Sequence, residues 1–277
     1  MNFSQLYAKK YAESGRHGGK GSVTYKAALI ILLSLVLLQG CGNANNYETL
    51  LLPGGKNIQI TGYTGKSSKI KIPSRIKFKK VTQIGDDAFA DKELTDVDIP
   101  DSITSIGTWA FARNKLASVK IGNNVTSIGD CAFADNSISS IKIPDSVVSI
   151  GDWAFTQNLL TEVTISNNVK TIGAWAFACN KLTGFTIPNS LSIIQDAVLM
   201  ENELKYIDIG QNITQIGEWA FAKNPLTSVK IGANIKIINK DLEFSTFENS
   251  FAEFYHLQDR ISGTYTLIDG KWNIIDR

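Results

Sequence analysis

Few residues of this chain could carry acid–base or nucleophilic chemistry. Its 277 residues include only His17 and His256 as histidines and only Cys41, Cys131 and Cys179 as cysteines. His256 lacks Cys, His or acidic partners at metal-ligand spacing. No G-x-S-x-G, P-loop or G-x-G-x-x-G after a strand occurs. These residue types point away from an enzyme, a metal site and a small-molecule cofactor. Acidic residues do recur, at Asp86, Asp130, Asp152 and Asp196, next to a turn. That placement suits capping of backbone N–H groups better than paired acid–base work.

What positions these residues is a repeat. Ala-Phe recurs at Phe89, Phe111, Phe133, Phe155, Phe177 and Phe221, in steps of 22 residues and a final step of 44. Val198-Leu199 fills the skipped slot. Ile-Gly precedes each Phe at a fixed offset, from Ile84-Gly85 to Ile216-Gly217, with Ile194-Gln195 as the exception. Three residues after the Phe slot sits Asn, at Asn114, Asn136, Asn158, Asn180, Asn202 and Asn224, with Lys92 breaking the pattern in the first unit. Within a unit, Leu116-x-x-Val119-x-Ile121 alternates apolar and polar residues as a half-buried strand does. Pro or Gly then turns the chain, as at Pro100 and Gly122. So short a unit cannot bury its own apolar residues, but a stack of such units can. The expectation is a solenoid with parallel strands about 4.8 Å apart from coil to coil. The Asn column is expected to bond backbone groups of its own and adjacent coils. The glycines are expected either to adopt positive φ or to let coils approach closely. Cys131 and Cys179 lie in different slots two coils apart, about 10 Å along the stack. That exceeds the roughly 7 Å limit for a disulfide, so no bridge is expected.

Binding is then the function to look for, and two surfaces offer it. The outward strand positions, which would line a concave face, include Lys120, Lys142, Glu162, Thr164, Tyr206, Asp208 and Lys230. They are polar and mixed in charge, which does not suit a polyanion. The second candidate is a column of Trp109, Trp153, Trp175 and Trp219, with Cys131 and Ala197 in the same slot. Each precedes the inward Ala-Phe pair, so its ring is expected on or near the surface, as a hot spot or as cover for the seams between coils.

The N-terminus is a separate object. Residues 1–26 are basic, and residues 27–38 read AALIILLSLVLL. Twelve apolar residues are short for a membrane span of about 20 and suit an export signal. The run ends Leu38-Gln39-Gly40-Cys41, which resembles the lipobox of bacterial lipoproteins. That resemblance implies that Cys41 is lipidated and, after removal of residues 1–40, becomes the N-terminus. The long basic leader suggests that translation starts at Val23 rather than Met1. Without residues 1–40 the chain loses five bases and one acid, so 28 Lys+Arg and 26 Asp+Glu become 23 and 25.

The repeat itself, IGDDAFADKELTDVDIPDSITSIG, resembles the BspA-type leucine-rich repeat of bacterial surface proteins. Ile60-Thr61-Gly62-Tyr63-Thr64-Gly65 is similar to the opening module of spirochaetal members. Phe251, Tyr255 and Gly270-Lys271-Trp272 are similar to their closing segment. The resemblance implies an α/β leucine-rich-repeat solenoid, predominantly β. The expected organisation is a signal over 1–40, a lipidated tether over 41–57, an N-terminal cap over 58–83, coils over 84–242 and a C-terminal cap over 243–277. It also implies a cell-surface, adhesin-like module that binds host matrix or bacterial surface proteins; Gly42 after Cys41, in place of the Asp that retains some lipoproteins at the inner membrane, favours the outer membrane. The competing reading is a scaffold lipoprotein facing the periplasm. The near-neutral charge gives no reason to expect nucleic acid.

Overall fold

A computed structural model describes residues 44–238 and 251–276. Residues 1–40 and Cys41, to which the export signal and the lipid were assigned, lie outside the described residues. Two rows of short parallel strands run along the coils. One row comprises Lys69–Lys71, Asp96–Asp98, Ser118–Lys120, Ser140–Lys142, Glu162–Thr164, Tyr206–Ile209 and Ser228–Ile231. The other runs from Lys79–Ile84 through Ser105–Ile106, Ser127–Ile128 and Ser149–Ile150 to Thr171–Ile172, each paired in register with the next. Partners such as Val97 and Val119, or Ile106 and Ile128, sit one period apart. The fold is the predominantly β solenoid with a 22-residue period that the repeat predicts.

The third side of each coil carries the Ala-Phe pair and contains turns but no helix. Its backbone bonds to the next coil as well as within its own turn. Trp109, Phe111 and Arg113 donate to the carbonyls of Asp130, Ala132 and Ala134 at 2.8–3.0 Å. This pattern requires left-handed backbone at two non-glycine residues per coil, for example Trp153 (φ 62°) and Gln157 (φ 52°). Each such residue costs about 1–2 kcal/mol locally, which the inter-coil bonds offset. The repeated glycines do not take positive φ. They are needed for close approach: a Cβ on Gly151 would lie 2.6 Å from the Asp130 nitrogen.

Phenylalanine forms the spine of the core. The rings of Phe89, Phe111, Phe133, Phe155 and Phe177 follow one another at 4.9–5.4 Å, near parallel and fully buried. That spacing is close to the strand separation of a sheet, because the same pitch sets both. The Asn column bridges the coils as expected. Asn158 Oδ1 accepts from the Ile138 N–H at 3.0 Å, and Nδ2 donates to the carbonyls of Phe133 and Phe155 at 2.9 and 3.2 Å.

Both ends of the stack change to antiparallel pairing. Tyr47–Leu51 pairs antiparallel with Asn57–Tyr63, and Tyr63 lays its ring 5.6 Å from Phe89. At the other end Gly263–Ile268 pairs antiparallel with Ser228–Ile231 and with Lys271–Asp276. The helix Phe251–Leu257 brings Phe251 and Tyr255 against Tyr265 and Trp272, which closes the last coil with buried aromatics. The Tyr255 hydroxyl is satisfied by donating to the Gly232 carbonyl at 2.7 Å.

Candidate binding face

The outward residues of the longer strand row share one exposed face, in ladder register. Asp98 stands beside Lys120, Lys142 beside Thr164, and Asp208 beside Lys230. Their charges pair along the stack: Asp98 lies 3.6 Å from Lys120 and 3.7 Å from Lys71, and Asp208 lies 2.9 Å from Lys230. Exposed pairs of this kind contribute little to stability. They do neutralise the face locally. The Asp208 carboxylate also holds the Lys230 ammonium above its ordinary pKa by hydrogen bonding.

The strand pairing of this face lapses between Ser118–Lys120 and Ser140–Lys142, and again at the coil of residues 183–187. Residues 183–187 occupy the strand slot but form no strand, and none of their backbone groups hydrogen-bonds to a flanking coil. The shorter strand row lapses at the same coil, between Thr171–Ile172 and Ile193–Ile194. On the Ala-Phe side the coils stay bonded, with Trp175 donating to Asp196 and Phe177 to Val198.

The cause lies in the core. Leu199 stands where other coils have Phe, leaving room, and Phe185 stands where they have Val or Ile. Half-buried Phe185 tilts against Phe177 at 5.2 Å and, with Leu199, lines the space left there. A slot whose Phe packs half-buried against the core departs from the ladder register of its neighbours. The result is a groove of 1260 Å³, walled by residues 161–163, 183–187, 206–211 and 230–232, with Thr264 and Asp276 at its end.

Four of the residues singled out from the sequence, Glu162, Tyr206, Asp208 and Lys230, line this groove. Lys120, Lys142 and Thr164 share the face but lie outside it. Sequence reasoning missed Phe185, Gly184 and Asp276. The available signal was Gly184-Phe185 in a slot otherwise held by a polar residue and Val or Ile.

The Trp column corrects an expectation. Trp109, Trp153 and Trp175 are buried and Trp219 is half-buried, rather than surface rings. The left-handed backbone of the slot turns each ring along the seam between coils. Trp153 and Trp175 stack at 4.6 Å, and the Arg113 guanidinium covers Trp109 at 5.2 Å. Packing accounts for the column.

The repeated Asp residues also have a structural task, and they cap the neighbouring coil rather than their own turn. Asp86 accepts from the Thr108 N–H, Asp130 from Asp152, Asp152 from Ala174 and Asp196 from Glu218, all at 2.8–2.9 Å. Cys131 and Cys179 are free thiols. Burial, reinforced by Asp130 and Asp152, pushes Cys131 up to about 12, and burial beside Glu201 raises Cys179. Neither is a nucleophile at neutral pH. Among the described residues no three His, Cys, Asp or Glu gather as metal ligands. Among the same residues no helix is long and apolar enough to cross a membrane.

Residues 63–137, 82–205 and 126–252 match the BspA type Leucine rich repeat region, in 6 copies. The chain belongs to the BspA-type leucine-rich-repeat family. Solved structures agree on the repeat class. A leucine-rich-repeat protein of Eubacterium ventriosum matches with a TM-score of 0.50 and 18% identity, over 70% of this chain and 60% of that one. A T. pallidum leucine-rich-repeat protein gives 0.49 and 24%, over 64% and 81%. One from Bacteroides ovatus gives 0.47 and 22%, over 69% and 65%. Likeness at this level carries the fold alone. No curated protein matches the sequence. For a BspA-type solenoid the coil at residues 183–199 is then the irregular one: its Phe, Gly and Trp slots hold Leu199, Gln195 and Ala197.

Proposed function

We propose that this BspA-type protein is a lipid-anchored, cell-surface module that binds proteins in the manner of an adhesin. Host matrix proteins and bacterial surface proteins are its candidate partners. The observation that carries the reading is the groove in the strand face. The strand face opens into this groove at the coil of residues 183–187, and Tyr206, 47% exposed, stands at the opening among Glu162, Asp208 and Lys230. Exposed tyrosine is enriched at protein-binding surfaces. The anchor is assigned to Cys41, which would hold the solenoid at the membrane by acyl chains.

Two measurements test this. Protease added to intact cells should remove the protein without lysis. Protection until the envelope is opened would instead favour the periplasm-facing scaffold. Cells carrying Tyr206→Ala or Asp208→Lys should attach less to immobilised matrix protein or to other bacteria, with unchanged amounts of folded protein. Unchanged attachment by both variants would remove the groove from the binding site.

A further inference from the structure

Charge that is nearly balanced over the chain is divided in space. Residues 49–85 contain eight Lys and Arg and no Asp or Glu, whereas residues 86–277 contain 15 and 24. Strand pairing gathers part of the basic block at one end of the N-terminal sheet. Leu51 pairs with Ile58, Asn57 with Lys80, and Ile76 with Lys79 across a two-residue turn. The turn that follows Leu51 and the turn at Lys77-Phe78 therefore lie at the same sheet end. Lys79 Nζ ties them together, donating to the Gly55 carbonyl at 2.7 Å.

Phe78 forms the tip and is 93% exposed, and Leu51 is 53% exposed. Lys56, Lys77 and Lys80 surround them, also exposed. Lys77 and Phe78 have φ of 48° and 65°, a hairpin turn in which Asn-Gly is the favoured pair. A bulky aromatic is strained at such a position and, fully exposed, contributes nothing to the core. Folding alone would select glycine here.

We propose that this sheet end docks on an anionic membrane surface. Phe78 and Leu51 enter the boundary between headgroups and acyl chains, and the surrounding lysines meet the anionic headgroups. A soluble polyanion would satisfy the lysines and leave both apolar side chains in water, whereas a bilayer surface accommodates both. The acidic remainder of the solenoid is repelled by the same surface, so docking is directional. None of this requires the lipid on Cys41 or the groove in the strand face.

The test uses Gly42–Arg277, which forms one compact unit and lacks both leader and lipid. It is mixed with vesicles of phosphatidylcholine alone or with phosphatidylglycerol. Sedimentation with the phosphatidylglycerol vesicles only, reversed by high salt, is expected. Phe78→Gly should weaken that binding roughly tenfold while holding or raising the melting temperature. Lys77→Gln and Lys80→Gln should each weaken it about fivefold. No binding to either vesicle overturns the proposal. Binding that Phe78→Gly leaves unchanged also overturns it, and equal capture by heparin would then mark a polyanion site.

Discussion

Trp175 and Trp219 meet edge to face at 6.1 Å although a whole coil lies between them. Ala197 occupies the intervening slot, and the two rings lean into the space its methyl leaves. On adjacent coils, Trp153 and Trp175 simply stack at 4.6 Å in near-parallel planes. The same coil substitutes twice, with Leu199 in the Phe slot and half-buried Phe185 in the slot of Val or Ile, the two lining one space. A small residue in one slot is answered by a large one in another, at the place where both strand rows lapse.

That pairing predicts strong coupling between positions 185 and 199. Leu199→Phe alone should overpack the core at a cost of about 1–3 kcal/mol. Phe185→Val alone should lose a similar amount by leaving a void beside Phe177. Together they should restore the regular spine, and their summed loss should shrink by at least about 1 kcal/mol. Urea unfolding of the four species measures this, and amide exchange at residues 183–187 should slow in the double variant. Simple additivity would refute the compensation.

The Asn column should be among the least tolerant positions. Asn158 is 5% exposed and joins the backbone of two coils through both ends of its amide. Asn158→Ala leaves the Ile138 N–H and the Phe133 carbonyl buried without that partner. The loss should be about 3 kcal/mol in thermal or urea unfolding. A loss below about 1 kcal/mol would mean that the amide is replaceable by water.

Two glycines should behave in opposite ways. A Cβ on Gly151 would press on backbone of the preceding coil at 2.6–2.7 Å, whereas one on Gly184 meets nothing within 4 Å. Gly151→Ala should cost about 3 kcal/mol by forcing coils apart. Gly184→Ala should stay within roughly 0.5 kcal/mol of the parent. Melting temperatures of the pair decide it.

The thiols should be silent in the folded protein. With Cys131 pushed up to about 12, its thiolate at pH 8 is roughly one part in ten thousand. Cys179 is raised in the same direction by burial and by Glu201. Iodoacetamide at pH 8 should label neither in native Gly42–Arg277 on a timescale that labels both in urea. Rapid native labelling of Cys131 would show that its coil opens.

The Phe, Asn and Ile-Gly columns are legible in the sequence because one period repeats one environment, so a shared residue type reports a shared place. The irregular coil is visible too, as three substituted slots. Its consequence is not visible, because Phe185 and Leu199 belong to different slots and only the folded core places them together. The Trp rings cover seams, as one of the two sequence readings has it, but their depth is missed for a local reason. The residue before an inward pair is read as outward, but left-handed backbone, φ 62° at Trp153 and Trp175, redirects it along the seam. The basic N-terminal block disappears in a whole-chain average that the acids of residues 86–277 cancel.

The switch to antiparallel strands at each end makes the two termini, not the coils, the fixed parts of this protein. Most interior junctions repeat one stack of Phe rings and one set of Asn bridges, so a period of 22 residues could be gained or lost there by duplication or deletion with little unfamiliar contact. Length is thus free to drift in evolution in whole-coil steps, lengthening or shortening the exposed face while leaving its ends intact. Only around Phe185 and Leu199 would such a step meet resistance, since a cut between them would separate partners that fit nowhere else.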